Sequence, residues 1–141
     1  MFNKVLVPID ISQPDAGGAL LSAAADRVKR GDTKLMLLTV IGDVPNLVAA
    51  QLPADYPATA TQQASEQLNA LAKSHGLADG SYEVAVRHGA VYHEILSAAE
   101  ESGADLIAIA SHKPDVSDYL LGSVAAKVVR HASCSVLVVR Q

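Results

Sequence analysis

The chain has 141 residues, of which 50% are hydrophobic and 18% are charged, so it is long enough to bury a core as one domain spanning residues 1–141. Its formal net charge of −4 argues against binding to nucleic acid or insertion into a membrane, because nucleic-acid and membrane-surface binders usually carry a basic excess. The single cysteine, Cys134, excludes an intramolecular disulfide, and no apolar stretch is long enough to span a bilayer, so we expect a cytoplasmic protein.

Apolar periodicity divides the chain into alternating strands and helices. Short apolar runs predict strands, and apolar residues that recur every three or four positions predict helices. In chain order, the predicted elements are a strand at 4–10, a helix at 14–30, a strand at 34–41, a helix at 59–75, a strand at 82–87, a helix at 91–102, a strand at 106–110, a helix at 123–132 and a strand at 136–139. This alternation predicts an α/β fold with a five-stranded, doubly wound parallel sheet and helices on both faces.

One connection, residues 42–58, is longer than the others and contains Pro45, Pro53 and Pro57. Connections of this length are often lids or binding loops. The alternative is a surface insertion with a short helical turn near residues 47–51, and both interpretations stay open.

Ligands of such sheets bind at the carboxyl ends of the strands, so we expect functional residues just after residues 9, 40, 87 and 110. Pro8 cannot donate a ladder hydrogen bond, which indicates that the first strand either stops there or is locally irregular. Asp10 follows at the same edge, where its carboxylate can accept a hydrogen bond from a ribose hydroxyl or hold a metal ion through water. Alternatively, Asp10 caps the turn into the next helix.

A second set of candidate residues follows the fourth strand. Ser111, His112 and Lys113 offer donors and a fixed positive charge, and Gly122 and Ser123 begin the next helix. A helix N-terminus is a ready anion site, and glycine allows close approach of a ligand, so these residues together could hold a polyphosphate. The alternative is a loop in which Ser123 merely caps a helix.

Other functional motifs are absent from the sequence. There is no P-loop, dinucleotide fingerprint, zinc-ligand spacing or G-x-S-x-G elbow, so we predict no catalytic residues and no protein metal site. The last strand is apolar from Val136 to Val139. If this strand lies at the edge of the sheet, its outer backbone N–H and C=O groups have no neighbouring strand to pair with. A strand from a second subunit could supply those hydrogen bonds.

The chain resembles the universal stress proteins over essentially its whole length. The resemblance is carried by Val5-Leu6-Val7-Pro8-Ile9-Asp10, by Leu38-Thr39-Val40-Ile41, and by the highly specific tail from Leu120 to Val139. ATP-binding members carry G-x-x-G, nine residues and G-[ST] after the fourth strand. Here Ala110 and Lys113 replace the first two glycines, eight residues follow, and Gly122-Ser123 is intact. The run Ala-Ser-His-Lys-Pro-Asp is similar to a variant found in the F-type, ATP-binding subgroup.

The resemblance implies a Rossmann-like sheet of strand order 3-2-1-4-5 and a homodimer joined through the last strands. It also implies ATP as the ligand, with Mg²⁺ or with ADP or AMP in its place. By carry-over, Pro8, Ile9 and Asp10 flank adenine and ribose, and the backbone of Val40 meets the adenine. The residues expected along the ribose and phosphates are Ile109, Ala110, Ser111, His112, Lys113, Gly122, Ser123 and Val124.

The resulting hypothesis is an ATP-binding stress or regulatory module that biases its own conformation and acts on an unidentified partner protein. One alternative is a slow ATPase, for which only His112 and Asp115 are plausible catalytic groups. The other is a nucleotide-independent interaction protein, which the replacements at Ala110 and Lys113 favour.

Overall fold

Five parallel strands form the sheet of this protein. The computed structural model describes residues 2–13, 17–31, 33–42, 46–111 and 122–140. Its elements are β1 (Lys4–Pro8), α1 (Gly18–Lys29), β2 (Lys34–Ile41), α2 (Asn46–Ala49), α3 (Tyr56–Ser74), β3 (Tyr82–His88), α4 (Val91–Ser102), β4 (Leu106–Ala110), α5 (Ser123–His131) and β5 (Ser135–Val139). The strand order is β3-β2-β1-β4-β5, and every pairing is parallel. The predicted fold class and strand order are therefore confirmed.

Most element boundaries agree with the sequence pattern, but β1 ends at Pro8 rather than at residue 10, and two helix starts differ. The second predicted helix was expected from residue 59, but α3 begins at Tyr56 with Pro57 in its first turn. Proline is tolerated there because its missing N–H has no intrahelical partner at that position. The first helix was expected from residue 14, but α1 begins at Gly18, and residues 14–16 lie outside the described part of the chain. Within the long connection, α2 supplies the short helical turn that was one of the two expectations.

The sheet separates two apolar cores. Val5 and Val7 of β1 pack with α1 and α3 on one face, where Leu21 and Leu68 are fully buried. Leu6, between them in sequence, packs on the other face with residues of α4 and α5. Successive side chains of a strand point to opposite faces, so a sheet covered by helices on both sides needs strands that are apolar at every position.

The strand order creates a switch point between β1 and β4. From β1 the chain runs outward through β2 to β3, and then returns to place β4 on the opposite side of β1. The strand order therefore reverses between β1 and β4, and ligands of open parallel sheets bind at such a switch point. At the far side of the sheet, β5 pairs with β4 and forms an edge strand. No described helix is both long and apolar enough to cross a membrane.

Candidate functional site

A cavity of ≈ 240 Å³ lies at the carboxyl ends of β1 and β4, where the strand order reverses. Every described residue that the sequence proposed for the site lines this cavity: Pro8, Ile9, Asp10, Val40, Ile109, Ala110, Ser111, Gly122, Ser123 and Val124. His112 and Lys113, which were also proposed, lie outside the described residues. The fold thus brings together residues that are more than a hundred positions apart in the chain.

The cavity also has lining residues that the sequence reasoning missed, namely Gly17, Leu38, Val91, Ile95 and Ala125. The register offers a signal for Leu38, because Leu38 pairs with Pro8 across β1 and β2. Val91 and Ile95 belong to the helix that begins just after β3, at the edge where functional residues were expected. Leu38 and Ile95 are fully buried and Ile109 is nearly so, which makes the deep part of the cavity apolar.

The backbone of Val40 presents a donor and an acceptor toward the end of β1. The N–H of Ile9 donates to the carbonyl of Leu38 at 2.7 Å, so the backbone polar groups of Leu38 point toward β1. The N–H of Gly89 donates to the carbonyl of Ile41 at 3.0 Å, so the backbone polar groups of Ile41 point toward β3. Peptide groups alternate along a strand, so Val40 shares the direction of Leu38. The β1 ladder ends before it reaches Val40, whose N–H and C=O form no hydrogen bond with a described residue.

Asp10 holds a local turn and also lines the cavity. Its Oδ1 accepts hydrogen bonds from the backbone N–H of Ser12 at 3.0 Å and from the Ser12 hydroxyl at 2.5 Å, which form a local turn. The second carboxylate oxygen, Oδ2, has no donor among the residues that the structure describes. Asp10 is exposed and lines the cavity, so one oxygen holds the turn while the other is available to a ligand.

Gly17 lines the cavity at the N-cap position of α1. Its φ of +86° lies in the left-handed region, where a Cβ is strained, and its carbonyl accepts the first hydrogen bond of the helix, from the N–H of Leu21 at 2.8 Å. Gly17 is buried, so this wall of the cavity is formed by backbone. The neighbouring Gly18 does not carry this requirement, since its φ is not positive.

The N-terminus of α5 forms the opposite wall. The N-cap residue is Gly122 rather than Ser123, so the expectation that Ser123 merely caps α5 is wrong, and no side chain of a described residue caps this helix. Gly122 has φ −52° and ψ 152°, angles open to any residue, so its importance lies in the space it leaves rather than in its backbone angles. The N–H groups of Ser123, Val124 and Ala125 precede the first intrahelical bond, which runs from Ala126 N–H to the Gly122 carbonyl at 2.9 Å. Such uncapped N–H groups favour an anion.

Among the described cavity residues, Asp10 is the charged one, so an anion here would be held by the backbone and helix dipole of α5. Within the described ranges, no group of three or more His, Cys, Asp and Glu side chains could hold a metal ion. Ser111 is buried beside the cavity, and its backbone N–H donates to the carbonyl of Val139 at 2.9 Å. This bond connects the cavity wall to β5.

Among the described residues, three sites away from the cavity have shifted pKa values. The backbone N–H groups of Asn3 and Lys4 donate to Asp105 at 2.8 and 3.0 Å and lower the pKa of its carboxyl. Burial raises the pKa of the Cys134 thiol, so the group is not activated as a nucleophile. The hydrogen bond from Arg87 to Glu101, at 2.7 Å, raises the pKa of the guanidinium and lowers that of the carboxyl.

Comparison with known proteins agrees with this architecture. The chain matches the universal stress protein family over residues 1–140. It is 30% identical over 143 residues to universal stress protein G of Shigella flexneri, an alignment that covers 99% of this chain and 100% of that protein. A universal stress protein of Methanothermobacter thermautotrophicus is also 30% identical, with 99% of this chain and 97% of that protein covered. The chain belongs to the universal stress protein family.

Solved structures of the family share the fold. A universal stress protein in complex with cAMP superimposes with a TM-score of 0.69 at 24% identity, over 99% of this chain and 97% of that one. A family protein from Arabidopsis thaliana with AMP bound gives a TM-score of 0.64 at 18% identity, over 99% and 92% of the two chains. A universal stress protein from Archaeoglobus fulgidus in complex with dAMP gives 0.63 at 18% identity, over 96% of each chain.

Proposed function

We propose that this protein is a nucleotide-responsive regulatory module of stress tolerance that binds an adenine nucleotide, with ATP as the expected ligand, in the cavity between β1 and β4. The backbone of Val40 carries the proposal, because it offers an unused N–H donor and an unused C=O acceptor side by side. Family structures with cAMP, AMP and dAMP bound support nucleotide binding in general.

Adenine is the base that we assign to the Val40 edge. Its N6 amine donates and its ring N1 accepts, which complements the carbonyl and the N–H of Val40. The flat base would lie on the apolar part of the cavity, formed by Leu38, Ile95 and Ile109. Pockets for small ligands are generally apolar with a few placed backbone donors and acceptors, which is the arrangement here.

The ribose and phosphates would extend from this base across the switch point. The free Oδ2 of Asp10 would accept a hydrogen bond from a ribose hydroxyl. The phosphates would run toward the N–H groups of Ser123 and Val124 at the uncapped start of α5, where the helix dipole favours negative charge. Mg²⁺ would be held mainly by phosphate oxygens and water, since Asp10 is the one carboxylate among the described lining residues.

Two further expectations belong to this proposal. We infer that two copies pair through β5, because that strand is an apolar edge with an open ladder. We also expect the protein to act in the cytoplasm, since the chain has one cysteine and therefore needs no oxidising compartment for a disulfide of its own.

Calorimetric titration of nucleotide-free protein with ATP and Mg²⁺ tests the proposal, with AMP and GTP as comparison ligands. We expect micromolar binding of ATP at one site per chain. Replacement of Gly122 with Leu should abolish binding, because the side chain would fill the space beside the α5 N-terminus. Gly42→Leu is the matched control, since Gly42 has open space around it and lies outside this cavity. Unchanged ATP affinity in the folded Gly122→Leu protein would contradict the site assignment.

One observation favours a nucleotide-independent interaction protein as the second candidate function. Ala110 lines the cavity and puts a methyl group where ATP-binding relatives carry glycine. Absence of heat with any of the three nucleotides, on folded protein verified to be free of ligand, would select this candidate. Phosphate release at substoichiometric protein that is lost in His112→Ala would instead indicate a slow ATPase.

A further inference from the structure

A groove of ≈ 410 Å³ lies between α1 and β5, on the face of the sheet that carries α1. It shares no described lining residue with the cavity at the carboxyl ends of β1 and β4. Its size is within the range of about 300–1,000 Å³ that is typical of small-molecule sites. The groove is therefore a second candidate binding site, separate from the proposed nucleotide site.

The groove exists because the helices on this face leave part of β5 open. α1 and α3 pack on this face, whereas α5 packs on the opposite face with Val136 and Val138 of β5. Leu137, between these two valines, therefore points to the α1 side, where it is 48% exposed. A second strand that paired with β5 would lie in the plane of the sheet, so pairing would leave this face accessible.

The lining of the groove is apolar along most of its length. Val5, Leu35 and Leu106 of three adjacent strands form the floor and are buried. Leu20 and Val28 of α1 form a wall. The distance along α1 from Leu20 to Val28 is about 12 Å, at about 1.5 Å per residue. This length suits an extended aliphatic chain of medium length.

Polar groups gather at one end of the groove. α1 runs antiparallel to the strands, because it carries the chain from the carboxyl end of β1 back to the start of the parallel strand β2. Arg27, in the last turn of α1, therefore lies at the same end of the sheet as Thr33, just before β2, and Ser135, the first residue of β5. All three line the groove. The Thr33 hydroxyl donates to the carbonyl of Phe2 at 3.1 Å, which leaves the other two side chains for a ligand.

The charge at this end selects an anion. Arg27 is the one charged residue among the described lining residues, and its exposed guanidinium forms no ion pair within the described part of the chain. Lys29 lies in the same turn of α1, where the helix dipole favours cations, but it does not line the groove. An apolar groove with a cation and a hydroxyl donor at one end complements an aliphatic chain that ends in a carboxylate.

We propose that this groove binds a free straight-chain fatty acid, with its carboxylate at Arg27 and Ser135 and its tail along the floor toward Leu20. The carboxylate accepts hydrogen bonds from the guanidinium and the hydroxyl, and the tail covers the exposed Leu137. This binding goes beyond the proposed function and does not require ATP.

Calorimetric titration of lipid-free protein with hexanoate, octanoate, decanoate and dodecanoate tests the apolar part of the groove. We expect one site per chain and an affinity that rises about fourfold with each methylene until the tail is longer than the groove. An affinity that is independent of chain length, or no binding of any of the four acids, would overturn the proposal. ATP-saturated protein should bind decanoate equally well. Normal ATP binding without decanoate binding would refute the fatty-acid site and leave the nucleotide site standing.

Arg27→Gln tests the polar end of the groove. Lys29→Gln is the matched control, because both variants remove one cation from the last turn of α1 and only Arg27 lines the groove. Arg27→Gln should weaken decanoate binding roughly two- to fivefold, as expected for an exposed ion pair, and should leave the binding of the uncharged decanol unchanged. Lys29→Gln should change neither. Equal decanoate affinity in the two variants would overturn the placement of the carboxylate.

Ala24→Phe tests whether the ligand enters the groove, because Ala24 lines it and a phenyl ring would fill it. Ala126→Phe, at an exposed position of α5, is the control, and circular dichroism verifies the fold of both variants. Ala24→Phe should abolish decanoate binding and leave the sedimentation of the protein unchanged. If wild type binds no decanoate and Ala24→Phe dissociates an oligomer, a second copy of the chain occupies the groove, and the proposal is wrong.

Discussion

Replacement of Val40 with Pro removes the one backbone donor on which the adenine assignment depends. The Val40 N–H faces the cavity and makes no hydrogen bond with a described residue, so its loss breaks no bond of the sheet. Proline is tolerated in strands where the N–H is not needed by the ladder. A neutral hydrogen bond contributes about 0.5–1.5 kcal/mol, and an unpaired buried acceptor left on the base costs about 1–3 kcal/mol. A loss of about 1–2 kcal/mol corresponds to roughly 5- to 30-fold weaker ATP binding.

Val40→Ala separates the role of the backbone from that of the side chain. Alanine keeps the N–H and removes two methyl groups from a half-buried position, so ATP affinity should stay closer to that of the wild type. Calorimetry on both variants measures the difference, and their circular dichroism spectra and melting temperatures verify the fold. If folded Val40→Pro binds ATP as tightly as Val40→Ala, the base does not contact the Val40 N–H, and the reasoning from the β1 ladder is wrong.

Three other predictions concern the site and the stability of the fold. Asp10→Asn should weaken ATP binding about tenfold in calorimetry, because no charged oxygen remains to accept a hydrogen bond from the ribose. The melting temperature should stay unchanged, because the amide oxygen still accepts the turn hydrogen bonds from Ser12. Equal ATP affinity in the variant and the wild type would show that Asp10 does not contact the ligand. Ile107→Ala should lower the free energy of unfolding by about 2–5 kcal/mol in urea titrations, because Ile107 is fully buried, whereas the exposed Val129→Ala should change it by less than about 0.5 kcal/mol. The pKa of Asp105 is lowered in the folded state, so its stabilising effect is present above the unfolded value of about 3.9 and is lost as the pH falls through the folded value. Asp105→Asn should therefore be less stable than wild type at neutral pH, and the difference should shrink on acidification; a constant difference from pH 7 to pH 3 would contradict the assignment.

Much of the fold could be predicted because each strand is a continuous apolar run. A strand such as Leu106–Ala110 is apolar at every position and must therefore be covered on both faces. Because such strands alternate with amphipathic helices along the chain, the sequence predicts a doubly wound sheet. The sequence pattern places the start of α3 too late because Pro57 is typical of a loop, although proline also suits the first turn of a helix. Local pattern alone does not distinguish these two uses of proline.

The candidate site could be predicted only in part, because periodicity reveals faces but not the ends of hydrogen-bonded ladders. The strand-end rule located Asp10 and Ser111 at the correct edge. The direction of the Val40 peptide groups depends on where the β1 ladder stops, which is a property of the register between two strands. The importance of Gly17 could not be predicted for a similar reason. Its positive φ depends on how the backbone enters α1, and the spacing of residues in the sequence does not indicate that angle.

The cavity and the β5 edge are physically connected through Ser111. Ser111 follows the last residue of β4 and lines the cavity. Its backbone N–H donates to the carbonyl of Val139 in β5, the strand through which we propose that two copies pair. Coupling between two binding events is reciprocal, so any factor by which ATP tightens the dimer must equal the factor by which dimerisation tightens ATP binding. Sedimentation with and without ATP gives the first factor. Calorimetry on wild type and on a Leu137→Lys protein gives the second, because like charges at this exposed residue of β5 should prevent the two strands from pairing. We expect both factors to exceed one and to agree. If both equal one, ATP binding and dimerisation are independent, and the bond from Ser111 to Val139 serves only to hold the end of the sheet together.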